Sequence, residues 1–207
     1  MPYKQICSGP LSENCYILYD ENSLEAAIID PGFVNDELLN AVSTLKVKYI
    51  LLTHGHFDHI WGAEELKSRF SAPICIYEDD AELAASAELN ASRMMLGKAI
   101  TCEADIKLSD GDTLMVGGIE VRVLHTPGHT SGGCCYCTDE AVFTGDTLMS
   151  FSVGRCDLPT GDEEQLLQSL KRLKALNGDP DICGGHGSVT VLSAEKQYNP
   201  YLRAGTV

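Results

Sequence analysis

The sequence predicts an α+β fold in which two β-sheets pack face to face with helices on their outer faces. Three observations carry this reading. Short apolar runs of strand length recur through both halves of the chain. Each half also contains helical periodicity, so helices are available to cover each sheet. Four times, finally, a strand-like run is followed by a small residue and then a histidine or aspartate, which places polar side chains at strand ends along one edge. The 207 residues fit one domain, 1–207, built from two half-domains, about 1–100 and 101–207.

The elements follow in order. Asn14–Tyr19 and Ala26–Ile29 read as a strand pair joined through Asp20-Glu21-Asn22-Ser23, and the second strand ends in the turn Asp30-Pro31-Gly32. Leu38, Leu39, Val42 and Leu45 fall at helical spacing and predict a helix over 36–45. Tyr49-Ile50-Leu51-Leu52 is a buried strand ending near Thr53; a helix over 58–70 and a strand over 73–77 come next. Residues 78–97 are acidic, alanine-rich and predicted helical.

The second half begins near Thr101. Ile106-Lys107-Leu108 leads through Ser109-Asp110-Gly111-Asp112 to Thr113–Val116, and Gly117-Gly118 marks a hairpin into the alternating strand Ile119–Leu124. Strands over 134–137 and 141–144 follow. Asp162–Leu176 is the strongest helix, with Leu166, Leu167, Leu170, Leu173 and Leu176 on one stripe and glutamates in its first turn. Asp181-Ile182-Cys183 is a short strand, and a last helix runs from Ser193.

Composition excludes several classes. Apolar residues at 44% and charged residues at 22% are ordinary for a globular chain. No apolar run approaches the ~18 residues of a membrane span. The N-terminus lacks the layout of a secretory signal, so a cytoplasmic protein with no membrane partner is expected. A net charge of −15 and no basic stripe argue against nucleic acid. Cys134 and Cys137 form a CxxC spacing. On a strand they point to opposite faces, so these cysteines read as core residues in a reducing compartment.

The chemistry concentrates in Thr53-His54-Gly55-His56-Phe57-Asp58-His59. Neither a helix nor a strand aims His54, His56, Asp58 and His59 at one point. A strand ending at Thr53, a loop turning at Gly55 and a helix starting near Asp58 would do so. This density of imidazole and carboxylate matches what zinc or iron requires. The remaining histidines, His125, His129 and His186, lie beside loop residues in His125-Thr126-Pro127-Gly128-His129 and Gly185-His186-Gly187, and Asp146 follows a strand in Thr144-Gly145-Asp146-Thr147. Spacing alone leaves His125 and His129 as equal candidates.

Taken together, His54-Gly55-His56-Phe57-Asp58-His59, Thr126-Pro127-Gly128-His129-Thr130, Thr144-Gly145-Asp146-Thr147 and Gly185-His186-Gly187 resemble the motif series of the metallo-β-lactamase fold superfamily across essentially the whole chain. Ser152–Pro159 and Tyr198–Leu202 are similar to the short, single-domain glyoxalase II-type hydrolases. The resemblance implies a four-layer αββα sandwich and two divalent metal ions, zinc first, with iron or manganese as alternatives. His54, His56 and His129 would hold one ion; Asp58, His59 and His186 the other; Asp146 would bridge them, leaving His125 without a ligand role. The implied reaction is hydrolysis of a small-molecule thioester such as S-lactoylglutathione by a metal-held hydroxide, with Asp58 a ligand first and a base second. By the same resemblance Tyr136 and Arg155 stand where larger glyoxalase II enzymes contact glutathione. Arg155 has a second reading, as a tie between its loop and Asp157. The chain ends soon after Tyr201, without the C-terminal helical domain of those enzymes, which predicts a more open site. Two further readings are an iron-dependent persulfide dioxygenase and a non-enzymatic scaffold stabilised by metal.

Overall fold

In a computed structural model of the chain, which describes residues 3–203, the apolar residues of successive strands divide among three buried layers. The first sheet holds β1 (Tyr3–Ser8), β2 (Glu13–Tyr19), β3 (Glu25–Ile29), β4 (Lys46–Leu52), β5 (Ile74–Tyr77) and β6 (Ile106–Leu108), in that order. The second holds β7 (Thr113–Val116), β8 (Ile119–His125), β9 (Cys134–Cys137), β10 (Ala141–Gly145), β11 (Asp181–Gly184) and β12 (Thr190–Val191), also in chain order across the sheet.

Side chains alternate along a strand, and that alternation sorts the layers. Tyr16 and Leu18 of β2, Ala27 and Ile29 of β3, Tyr136 of β9 and Phe143 of β10 meet between the sheets. Their neighbours Cys15, Ile17, Ala26 and Ile28 turn outward under α1 (Asp36–Ala41), α2 (Phe57–Ile60) and α3 (Ala63–Phe70). On the far side, Cys135, Cys137, Val142 and Ile182 pack beneath α6 (Glu163–Lys174) and α7 (Leu192–Tyr198). The result is the four-layer αββα sandwich. Cys134 and Cys137 do face opposite layers, and among the described residues every cysteine is free. No helix among the described residues is long and apolar enough to cross a membrane.

Strand direction positions the site. β3, β4, β5 and β6 are parallel neighbours, as are β10 and β11, and β8 runs with β10 because both are antiparallel to β9. The ends of β3, β4, β5, β8, β10 and β11 therefore open onto one edge of the sandwich.

The sequence reading needs four corrections. The helix expected over 58–70 is broken at Trp61-Gly62, because Gly62 N–H bonds to Pro31 O at 2.7 Å and a Cβ there would lie 2.7 Å from that same oxygen. The helix expected to reach Leu45 stops at Ala41, where the Ser43 hydroxyl donates to Asn40 O at 2.7 Å and competes with the helical ladder. Residues 78–97 form only a single 3₁₀ turn (Glu78–Asp80), α4 (Ala81–Ala85) and α5 (Ser92–Leu96), since the buried Asn90 amide spans Ala84 O and Ile100 O. Ile106–Leu108 joins the first sheet beside β5, so the boundary between sheets falls after Leu108.

Candidate metal centre

Three loops from the first sheet and three from the second converge at the shared edge. The β4–α2 loop carries His54 and His56, and α2 itself carries Asp58 and His59. His129 follows β8, Asp146 follows β10 and His186 follows β11. Gly55 is required here by close approach: a Cβ would sit 2.8 Å from Ala84 N. Its φ is not in the left-handed region, so the conformational freedom expected from sequence is not what selects glycine.

The ligand-type atoms fall into two groups, each with its atoms within 4.8 Å of one another: His54, His56 and His129, then Asp58, His59 and His186. Asp146 lies between them, 3.5 Å from His129 Nε2, 3.6 Å from His59 Nε2 and 3.8 Å from His186 Nε2. Asp30 falls in a third such group with His54 and His59. Its oxygens, however, already accept from Thr53 N–H at 2.7 Å, Thr53 Oγ1–H at 2.6 Å and His59 Nδ1–H at 3.1 Å, so it orients histidines instead of facing an ion.

These outer bonds decide which ring nitrogen is free. His59 Nδ1 is held by Asp30, His54 Nδ1 by Thr53 Oγ1 at 3.1 Å, and His129 Nδ1 by Arg155 O at 2.7 Å. The Nε2 atoms of His54 and His59 are then left to present lone pairs, the arrangement that metal-binding histidines adopt, while His129 Nε2 lies 2.9 Å from His56 Nδ1. His54 Nε2, His56 Nε2, His59 Nε2 and Asp146 Oδ1 are all buried with no hydrogen-bond partner. Orphaned buried polar atoms are costly, and their occurrence in both ligand groups and on Asp146 between them fits bound divalent cations.

The electrostatics point the same way. Burial pushes His54 well below the ordinary histidine range, with the neighbouring imidazoles adding to it, and His56 is pushed down to about 3 by burial and then by His129. His59 moves oppositely. Burial opposes its charge, but Asp58, Asp146 and Asp30 outweigh it and hold the imidazole up at about 10. His186 is raised against burial by the hydrogen bond to Asp58 and the charge of Asp146, while His59 and His186 hold Asp58 well below the usual carboxylate range despite its burial. His54 and His56 are thus neutral nitrogen donors, and the other group draws in protons where a metal cation would satisfy the same carboxylates.

The other predicted residues divide. His125 lies outside the cluster, stacked on Tyr77 with centroids 4.0 Å apart and its Nε2 bonded to Ser131 O. Tyr136 does not reach the site: it is fully buried between the sheets and its hydroxyl donates to Leu52 O at 2.8 Å, so the expectation that it contacts substrate is corrected. An inward position on a central strand sends a side chain to the core, whatever its chemistry. Arg155 lines the cavity over the cluster, with its guanidinium paired to Asp157 at 2.5 and 2.7 Å. Two residues escaped the sequence reading. Asp30 read only as part of a turn, although its φ of +49° is rare for a non-glycine residue. Asp80 read as one acid in an acidic helix; it is fully buried and joins two ligand loops.

A profile of the metallo-beta-lactamase superfamily matches residues 8–186. An uncharacterized protein of Aquifex aeolicus is 39% identical over 97% of both chains. The hydroxyacylglutathione hydrolase GloC of Haemophilus influenzae is 37% identical over 93% of both. Among solved structures, the BLEG-1 B3 metallo-beta-lactamase superposes with a TM-score of 0.92 at 34% identity, covering 98% of this chain and 100% of that one. ETHE1 from Myxococcus xanthus gives 0.82 at 30% identity, covering 98% and 84%. TTHA1623, crystallised in a di-iron-bound form, gives 0.84 at 36% identity, covering 96% and 100%.

Proposed function

This chain belongs to the metallo-β-lactamase superfamily, whose enzymes are metal-dependent hydrolases, and on that premise we propose that it hydrolyses S-acyl thiols in the manner of glyoxalase II. The observation that carries the proposal is the gathering of His54, His56 and His129, and of Asp58, His59 and His186, into two ligand groups on either side of Asp146, with His56, Asp58, His129, Asp146 and His186 lining one cavity. His54, His56 and His129 would hold one divalent ion, and Asp58, His59 and His186 the other, with Asp146 between them. Zinc suits this donor set, and the likeness to TTHA1623 supports iron as an alternative. Bound there, a pair of divalent ions supplies a water of lowered pKa and polarises a carbonyl.

The chain's own residues account for the rest. A cavity of about 260 Å³ stands over the cluster, wide enough for an acyl group to bring its carbonyl to the floor lined by His56, Asp58, His129, Asp146 and His186. Asp58, kept ionised by His59 and His186, serves as a ligand and secondarily as an acceptor for the proton of the attacking water. Water oxygen bonds to the carbonyl carbon, the C–S bond breaks, and a carboxylic acid and a thiol result. Because a thiolate leaves readily, no separate acid is needed beside the sulfur. Arg155 stands at the rim with its guanidinium held by Asp157, so a carrier would pass beside that ion pair.

The test is release of thiol from S-lactoylglutathione and simple thioesters by the metal-replete protein and its His56→Ala variant. The variant should lose more than the roughly 100-fold that removal of an outer hydrogen bond costs; equal rates would defeat the proposal. The likeness to ETHE1 favours one second reading, an iron-dependent persulfide dioxygenase, against which the additional His59 and His186 count. Iron-dependent oxygen uptake with a persulfide distinguishes it. The likeness to BLEG-1 makes β-lactam hydrolysis a third arm of the same assay.

A further inference from the structure

The cavity over the cluster has walls of one chemical kind. Leu11 comes from the β1–β2 turn, Phe57 from α2, Met95 from α5, and Met149, Val153 and Leu158 from the segment between β10 and α6. Segments far apart in sequence thus turn apolar side chains into one space. Leu11 and Met95 do so while remaining 43% and 54% exposed, a position in which a large apolar group gains by being covered. Met95 is not there by looseness of its loop. The Asn90 side chain donates to Ala84 O and Ile100 O and accepts from Ser92 N–H, which pins the start of α5.

Polar side chains on these walls are already committed. His56, Asp58, His129, Asp146 and His186 belong to the floor, and Arg155 is engaged by Asp157. A charged or hydroxylated acyl group would find no free side-chain partner among the described residues lining the walls, and an anionic one would also meet a chain of net charge −15. Resting on the thioester reading above, we infer that the acyl group this cavity selects is an unsubstituted aliphatic chain, in preference to a hydroxyacyl or dicarboxylic acyl group. The thiol carrier extends outward past Arg155.

The experiment compares S-acetyl-, S-propionyl-, S-butyryl-, S-hexanoyl- and S-lactoylglutathione, which share one thiol, by thiol release from the metal-replete protein. Each kcat/KM is divided by that ester's own hydroxide-catalysed rate. The expected result is a rise with chain length, approaching about fourfold for each fully buried methylene, and propionyl above lactoyl, which differs by one hydroxyl. Met95→Gln and Leu11→Gln should flatten that rise. A flat or falling series, or lactoyl above propionyl, with hydrolysis measurable throughout, overturns the inference and leaves the thioester reading standing. If no member of the series is hydrolysed, the thioester reading fails and the inference fails with it.

Discussion

Asp80 accepts Gly55 N–H at 2.9 Å and Thr130 Oγ1–H at 2.7 Å on one oxygen, and Gly132 N–H at 2.6 Å on the other. Gly55 lies between His54 and His56, and Thr130 follows His129, so one carboxylate sets the separation of the two loops that supply these three histidines. Burial pushes its carboxyl up while the three donors pull it down, and every near neighbour is a donor, which suits an ionised group. In Asp80→Asn an amide N–H would face donors in a buried site. Stability should fall by on the order of 1–3 kcal/mol, read by urea unfolding. Metal should also leave on dialysis from conditions under which the parent keeps it. Unchanged retention at reduced stability would mean that the bridge only holds the fold. The histidine motif was legible because its donors crowd into six adjacent positions. Asp80 and Asp30 were not, because their partners come from loops brought near only by folding.

At the scale of elements, α7 holds one wall of the cavity. Fully buried Glu195 accepts Phe151 N–H at 3.1 and 3.2 Å, and Asn199 Nδ2 donates to Glu195 and to Ser152 O. Phe151 adopts φ +55° and lies 49% exposed, a conformation that costs free energy and persists only where its surroundings enforce it. This clamp fixes the segment that carries Met149 and Val153. Glu195→Ala should therefore raise KM for a thioester more than it lowers kcat, since the wall is displaced and the cluster is not. A fall in kcat at constant KM would place the effect at the metal centre. Strands with two buried faces, such as β5 and β9, were legible as continuous apolar runs. β1 was not, because only Ile6 and Ser8 are buried along it. The break before α3 was hidden as well: a glycine inside a helical pattern does not show that a carbonyl from another loop will approach it.

At the scale of the molecule, the candidate centre joins the two sheets. His54, His56, Asp58 and His59 come from the first, and His129, Asp146 and His186 from the second. Whatever binds there links both halves, and its affinity adds to folding stability by mass action. The proton occupancies give this linkage a pH dependence. In the metal-free protein His59 is held up at about 10. Its folded value lies above the unfolded value of about 6.5, so its contribution is complete below about 6.5 and is lost as pH rises through about 10. Metal at Nε2 must displace that proton, so occupancy of the second group should strengthen by up to about tenfold per pH unit for each proton released. Both effects act in one direction. The gap in melting temperature between loaded and chelator-treated protein should widen from pH 6.5 to 8.5, and calorimetry in buffers of different ionisation enthalpy should show proton release on loading. His54, held well below the ordinary histidine range, and His56, down at about 3, have no proton to displace across that window and add no such slope to the other group. Two binding events of unequal pH slope are therefore expected. Equal slopes, or a gap that narrows with pH, would mean that the proposed division of ligands between the two ions is wrong.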